Sequence, residues 1–146
     1  MSLIAPADQT KLREAFAELT RPVTLVFFTQ TLDCETCLQT RQILEELPLL
    51  SDRIAVEEVN FVLEKEKAAQ YGVDRVPAIA IAYEEAGERR DSRMRFLGAP
   101  AGYEFVSLVQ AVLLAGGRGL NLSEQSLAHL ARVDKPVTMQ VFTTPT

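Results

Sequence analysis

Tryptophan is absent from this chain of 146 residues, histidine occurs once and cysteine twice. No stretch approaches the ~18 consecutive apolar residues of a membrane span. The opening MSLIAPADQTKLREAF has no basic region ahead of its short apolar run, so neither a secretory leader nor a membrane anchor is expected there. Positive charge is also short, since 15 Lys and Arg stand against 20 Asp and Glu, a net charge of −5. Nucleic acids and anionic membranes need a concentrated basic face, so neither is an expected partner. Arg89, Arg90, Arg93 and Arg95 are a local exception, but Glu84, Glu85, Glu88 and Asp91 interleave with them, which reads as a solvated hairpin. What remains, with 47% hydrophobic residues and no low-complexity run, is a globular domain long enough to hold a core without disulfides. A cytoplasmic location is expected, where cysteines are kept reduced and a close pair is more often functional than structural.

Asp8 to Leu19 carries Leu12, Ala15, Phe16 and Leu19 at helical spacing. PVTLVFFT, residues 22–29, is apolar on both faces and rich in β-branched and aromatic residues, which suits a buried central strand. Leu38, Ile43, Leu44 and Leu47 predict a helix from about Cys34 to Leu47, stopped by Pro48. A strand over Arg53–Phe61 and a short helix over Leu63–Tyr71, ended by Gly72, come next. AIAIAY, residues 78–83, pairs across an Ala86-Gly87 turn with Met94–Leu97, and a helix over Gly102–Ala115 ends at Gly116-Gly117. Helical crossovers make the first strands parallel and the hairpin makes the last antiparallel. The expected fold class is α/β, a mixed four-stranded sheet with helices on both faces and an extra N-terminal helix.

After Gly119 the pattern starts again. Leu122, Ser123 and Leu127 form a hydrophobic staple around a Ser N-cap. At an offset of 114 residues, Phe16-Ala17-Glu18-Leu19-Thr20-Arg21-Pro22-Val23-Thr24 meets Leu130-Ala131-Arg132-Val133-Asp134-Lys135-Pro136-Val137-Thr138, and Phe28-Thr29 meets Phe142-Thr143. Residues 1–117 therefore read as one unit and 118–146 as a linker, a helix and the first strand of a second, truncated copy. A strand over Pro136–Phe142 without its own sheet would frame the first unit, fray, or pair with another chain, giving a homodimer through the 123–146 tail.

The chemistry concentrates in Cys34-Glu35-Thr36-Cys37. A structural zinc site takes about four Cys or His ligands. Two cysteines and His129, far away in the trailing segment, do not supply them within one chain. As a staple the pair is poor, because so short a loop removes little entropy from the unfolded chain. Spacing of three at a helix start does bring the sulfurs within bonding distance, so the bond can open and close with little backbone movement. A helix N-terminus would stabilise the Cys34 thiolate, and Cys37, one turn inside, would be the more buried, resolving thiol. Asp33 and Glu35 flank Cys34 and oppose its ionisation, so the expected couple is more reducing than one in a neutral loop.

CxxC at a strand-to-helix turn, then Val76-Pro77, then Leu97-Gly98-Ala99, resembles the thioredoxin and glutaredoxin superfamily. The resemblance implies a thioredoxin fold, a cis peptide before Pro77, and a groove of Cys34, Val76, Pro77, Gly98 and Ala99 that holds a substrate strand. YGVDRVPAIAI, FLGAPAGYEF and DKPVTMQVFTTPT, with the duplication, resemble more narrowly the protein disulfide oxidoreductases, glutaredoxin-like proteins with two thioredoxin folds and a CxxC in each. The chain departs from thioredoxin in lacking Trp before the motif and Gly-Pro within it, and Phe28 stands where thioredoxin has a buried carboxylate. Proton transfer to Cys37 would then need another group, Glu35 being nearest, or water.

The expected function is thiol–disulfide exchange with protein substrates, Cys34 attacking and Cys37 resolving, with no cofactor beyond the Cys34–Cys37 disulfide and no metal. A thioredoxin reductase or a peroxiredoxin is an expected further partner. The alternatives are a redox-silent interaction module and an electron-transfer domain serving a peroxiredoxin or reductase. Alkyl hydroperoxide reductase flavoproteins carry their CxxC in the second of two folds, so a pair in the first unit counts against that kinship. Glutathione is disfavoured as a substrate because no basic residue stands beside the CxxC, Arg75 being the one candidate.

Overall fold

In the computed structural model, which describes residues 2–144, the elements are α1 (Pro6–Phe16), β1 (Val23–Thr29), α2 (Cys37–Glu46), β2 (Ile54–Asn60), α3 (Lys65–Gln70), β3 (Ala78–Glu85), β4 (Glu88–Leu97), α4 (Tyr103–Ala115) and α5 (Glu124–Leu130). The sheet runs β2-β1-β3-β4, with β1 and β2 parallel and the other pairs antiparallel. This is the expected mixed four-stranded thioredoxin fold with an added N-terminal helix. All seven residues of β1 are buried, as a central strand covered on both faces requires.

Strand periodicity sorts β1 into two layers. Val23, Leu25 and Phe27 face a layer filled by Phe16 and Leu19 from the α1 end, Leu44 and Leu47 of the α2 end, and Leu108 and Val112 of α4. Val26 and Phe28 face the opposite layer with Val59, Ala68, Tyr71 and Val73, where α3 lies. The hairpin turn at Ala86-Gly87 has positive φ at both central residues (54° and 78°), the geometry that matches the twist of the flanking strands.

Three elements depart from the sequence expectation by three residues or more at one end, and a fourth is missing among the described residues. Helix α2 begins at Cys37, with Thr36 as its N-cap, so Cys34 lies in the preceding turn. β4 starts at Glu88, six residues earlier than expected, because its outer half is an alternation of charges with no apolar signature. Helix α1 closes at Phe16, and Leu19 enters the core from the turn that follows. The strand expected over 136–142 is absent among the described residues. That segment belongs to no sheet and is exposed, since a strand needs a neighbour to satisfy its backbone. Helix α5 does form, and the Ser123 hydroxyl accepts from Ser126 N at 3.1 Å as its cap.

The C-terminus of α4 is tied to the α1–β1 connection. Thr20 N and Thr20 Oγ1 both donate to the Gly116 carbonyl (2.9 and 3.1 Å), and Arg21 Nε donates to Ala115 O at 2.7 Å. These bonds satisfy carbonyls that a helix end leaves open. The approach is so close that a Cβ on Gly116 would stand 2.1 Å from Leu19 Cδ2. Gly116→Ala should therefore lower stability by about 1–3 kcal/mol in a denaturant titration, the usual cost of overpacking.

On the α3 side, Glu57 of β2 accepts from Lys67 and, at 2.6 Å, from Arg89 of β4. Hydrogen bonds from Lys67 and then Arg89 hold its carboxyl below the usual range. With the folded-state value below the unfolded one, this stabilisation is present above the ordinary Glu range, ~4.3, and is lost as pH falls through the lowered value. Glu57→Gln should cost about 1 kcal/mol at pH 7, because the side chains are partly exposed. The difference from the parent protein should close in chemical denaturation at acid pH.

Candidate functional site

The C-terminal end of β1 and the N-terminal end of β3 build the site. Phe28 pairs with Ala78, and Ala78 in turn with Leu97. The residues beyond these pairs, namely Thr29, Pro77 and Gly98, therefore meet at one edge of the sheet. Pro77 has no N–H to return the bond to Gly98, and its carbonyl accepts from Gly98 N at 2.9 Å. The Val76–Pro77 peptide is cis, as the resemblance implied. Pro77 is buried, while Val76, Gly98 and Ala99 are half-buried and line the opening. Gly98 has φ +92°, a backbone conformation that side chains disfavour.

From Thr29 the chain passes through Gln30 into a loop that ends in the disulfide. Cys34 and Cys37 are bonded, with Cα atoms 5.5 Å apart. Their exposure differs: Cys34 is half-buried in the loop, and Cys37, the first residue of α2, is 4% exposed. Cys34 thus precedes the N-cap and lies beyond the helical turn that the sequence spacing assigned to it. Among the described residues no side chain caps α2, and its first-turn N–H groups open toward that turn.

Asp33 adopts a left-handed conformation, φ 54°, a position its short polar side chain tolerates. The side chains of Asp33 and Glu35 are exposed, where water screens their effect on Cys34. Arg75 donates to Asp74 at 2.8 Å and is committed to that exposed pair. Among the described residues no group of three or more potential metal ligands is assembled.

Two residues escaped the sequence reading. Gln30 Nε2 donates to the carbonyl of Leu32 at 2.7 Å and reaches that of Asp33 at 3.5 Å, bracing the loop from its base. A single amide at the end of an apolar run carries no signal for this. Thr29, 4% exposed, holds a buried hydroxyl with no hydrogen-bond partner among the described residues. Its polarity in VTLVFFT was the available signal. Phe28, matched by residue count to thioredoxin's buried carboxylate, lies in the α3 layer with its ring edge-on to Tyr71 at 5.8 Å. The residue that this end of β1 turns toward α2 is Thr29.

Exposed apolar side chains surround the disulfide in sequence and topology. Leu32 and Leu38 flank the CxxC, Leu97 precedes Gly98, and Val62 and Leu63 follow β2 at the same end of the sheet. Among the described residues, no helix is long and apolar enough to cross a membrane.

No known family profile matches the chain. The AhpF component of the alkyl hydroperoxide reductase of Escherichia coli is 28% identical over 135 residues, 92% of this chain but 23% of that protein. The counterpart from Enterococcus faecalis superposes with a TM-score of 0.79 at 28% identity, over 90% of this chain and 62% of its own. A protein disulfide oxidoreductase from Aeropyrum pernix shares the fold, with a TM-score of 0.72 at 23% identity, over 88% of this chain and 54% of its own. The chain thus spans less than two thirds of these proteins, and the likeness to the reductase component is long despite the place of the CxxC. A probable thioredoxin of Methanothermobacter thermautotrophicus is 31% identical over 77 residues, 52% of this chain and 80% of that protein. With this relative, its mixed sheet and its bonded CxxC, the chain belongs to the thioredoxin family.

Proposed function

We propose that the chain is a protein disulfide oxidoreductase in which Cys34 is the nucleophile and Cys37 the resolving thiol. The observation that carries this reading is the unequal burial of a bonded pair: Cys34 is within reach of a substrate and Cys37 is not. In the reduced protein, the Cys34 thiolate attacks a substrate disulfide and expels one substrate thiolate, leaving a mixed disulfide. Cys37 then attacks Cys34 Sγ, the Cys34–Cys37 bond forms, and the second substrate sulfur leaves with the electron pair. The substrate is thereby reduced by two electrons, and the protein is oxidised by two.

A polypeptide fits this opening better than glutathione. Exposed Leu32, Leu38 and Leu97 offer apolar contact, Val76, Gly98 and Ala99 form the rim, and Arg75 is already paired with Asp74. Likeness to a hydroperoxide reductase component supports a peroxiredoxin or a reductase as exchange partner. Residues 123–146, with exposed Val137, Met139, Val141 and Phe142, are suited to completing a second thioredoxin-like unit or to associating with another copy.

Insulin disulfide reduction tests the activity. The parent protein should be active, Cys34→Ser should be inactive, and Cys37→Ser should lose at least ~100-fold in turnover while accumulating a substrate-linked adduct on Cys34, the intermediate of exchange. Equal rates for all three would end the reading. Replacing the flanking carboxylates in Asp33→Asn/Glu35→Gln should raise the Cys34 thiolate fraction at neutral pH about two- to threefold, the scale of exposed charges a few ångströms apart. The check is the pH dependence of alkylation in the Cys37→Ser background.

A further inference from the structure

Two threonine hydroxyls are buried, one at the end of β1 and one in the first turns of α2, and they differ in one respect. Thr40, one turn along α2, donates to the Thr36 carbonyl at 2.8 Å. Thr29 Oγ1 donates to nothing among the described residues, the one buried side-chain polar atom there left without a partner. A hydroxyl held away from water with no acceptor costs ~1–3 kcal/mol, so its retention at the end of an otherwise apolar run calls for a use.

Geometry supplies an acceptor. Leu44 and Leu47 pack in the same layer as Leu25 and Phe27, and the buried face of α2 continues back through Thr40 to Cys37. Because β1 and β2 are parallel, α2 runs back along β1 in the opposite sense. Cys37 lies seven positions before Leu44, about 10 Å along the helix. Thr29 lies four positions beyond Leu25, about 13 Å along the strand, with its side chain on the same face. Cys37 therefore stands over the Thr29 end of β1. In the disulfide its sulfur is bonded to Cys34 and is a poor acceptor; as a free thiolate it would be a strong one.

We infer that the Thr29 hydroxyl is the hydrogen-bond donor that receives the Cys37 sulfur whenever the disulfide is open. This rests on the exchange reaction proposed above. When an incoming thiolate attacks Cys34 Sγ, a bond forms between those two sulfurs, the Cys34–Cys37 bond breaks, and the electron pair leaves on Cys37. At 4% exposure that thiolate has little water, and the Thr29 O–H donates to it while keeping its proton. In the resolving direction the same contact holds Cys37 as the attacking thiolate. Thr29 is too weak an acid or base to accept or surrender a proton on its own, so it sets the population of the thiolate and leaves proton delivery to solvent.

The experiment compares Thr29→Val, which keeps the shape and deletes the hydroxyl, with Thr29→Ser, which keeps the hydroxyl. In a Cys34→Ser background Cys37 is the sole thiol, and its ionisation is followed by thiolate absorbance. Asp33 and Glu35 in the loop, and Glu104 at the start of α4, are present in every variant, so their effect on Cys37 cancels in the comparison. Thr29→Val should leave about tenfold less thiolate at a given pH, the scale of one hydrogen bond to a charged group, and Thr29→Ser should restore most of it. With both cysteines present, resolution of a preformed mixed disulfide should slow about threefold in Thr29→Val, since the weaker acid is also the better nucleophile. An unchanged titration in Thr29→Val, or a Thr29→Ser variant that behaves like Thr29→Val, overturns the inference. Failure of the parent protein to exchange with insulin would instead remove the function on which it rests, and the two outcomes are read in separate assays.

Discussion

Everything at the opening depends on the immobilisation of β1. Its seven residues are buried, its backbone is paired with β2 on one side and β3 on the other, and its two faces fill both layers. A strand so enclosed cannot slide, because a shift of one residue would exchange the contents of the layers. The positions of Thr29, of the loop braced by Gln30 and of the first turn of α2 all follow from that fixed end. Pro77 and Gly98 are brought to the same place by the register of β3 and β4.

The two layers divide the work. The α3 layer is closed by aromatic contact and by the Glu57, Lys67 and Arg89 network at its margin, and Val76 of the opening packs against it. The other layer carries α2 and α4 and is held from the far end, where the α1–β1 connection grips the last carbonyls of α4. Cys37 sits on this second, anchored side. Exposure then separates the sulfurs: Cys34 is open to an approaching group, and Cys37 is shielded by the fold.

Much of this was legible in the residues. PVTLVFFT read as a strand covered on both faces, with the CxxC directly behind it, and the resemblance to the thioredoxin superfamily pointed to Val76-Pro77 and Gly98-Ala99. The start of α2 was less legible, because the charges and hydroxyls of Asp33-Cys34-Glu35-Thr36 suit a first turn as well as a cap, and side-chain type alone does not choose between them. The layer assignment of Phe28 and Thr29 required the sheet, since counting back from Cys34 assumes a loop of fixed length. The strand expected at 136–142 shows the reverse case: a faithful local pattern, repeating that of 22–28, forms no ladder where nothing lies alongside it.

β4 closes one edge of the sheet, and its composition has a consequence for the protein in a crowded solution. An edge strand offers unpaired N–H and C=O groups to any passing chain. Here the outer half reads Glu88-Arg89-Arg90-Asp91, the register with β3 shifts between Ala80 and Ala82, and Arg93 turns out of the β region at φ 65°. Charge and kink together deny a flat, apolar template for fibril-like stacking. Another polypeptide can therefore meet the apolar rim of Leu32, Leu38 and Leu97 without being recruited along this flank.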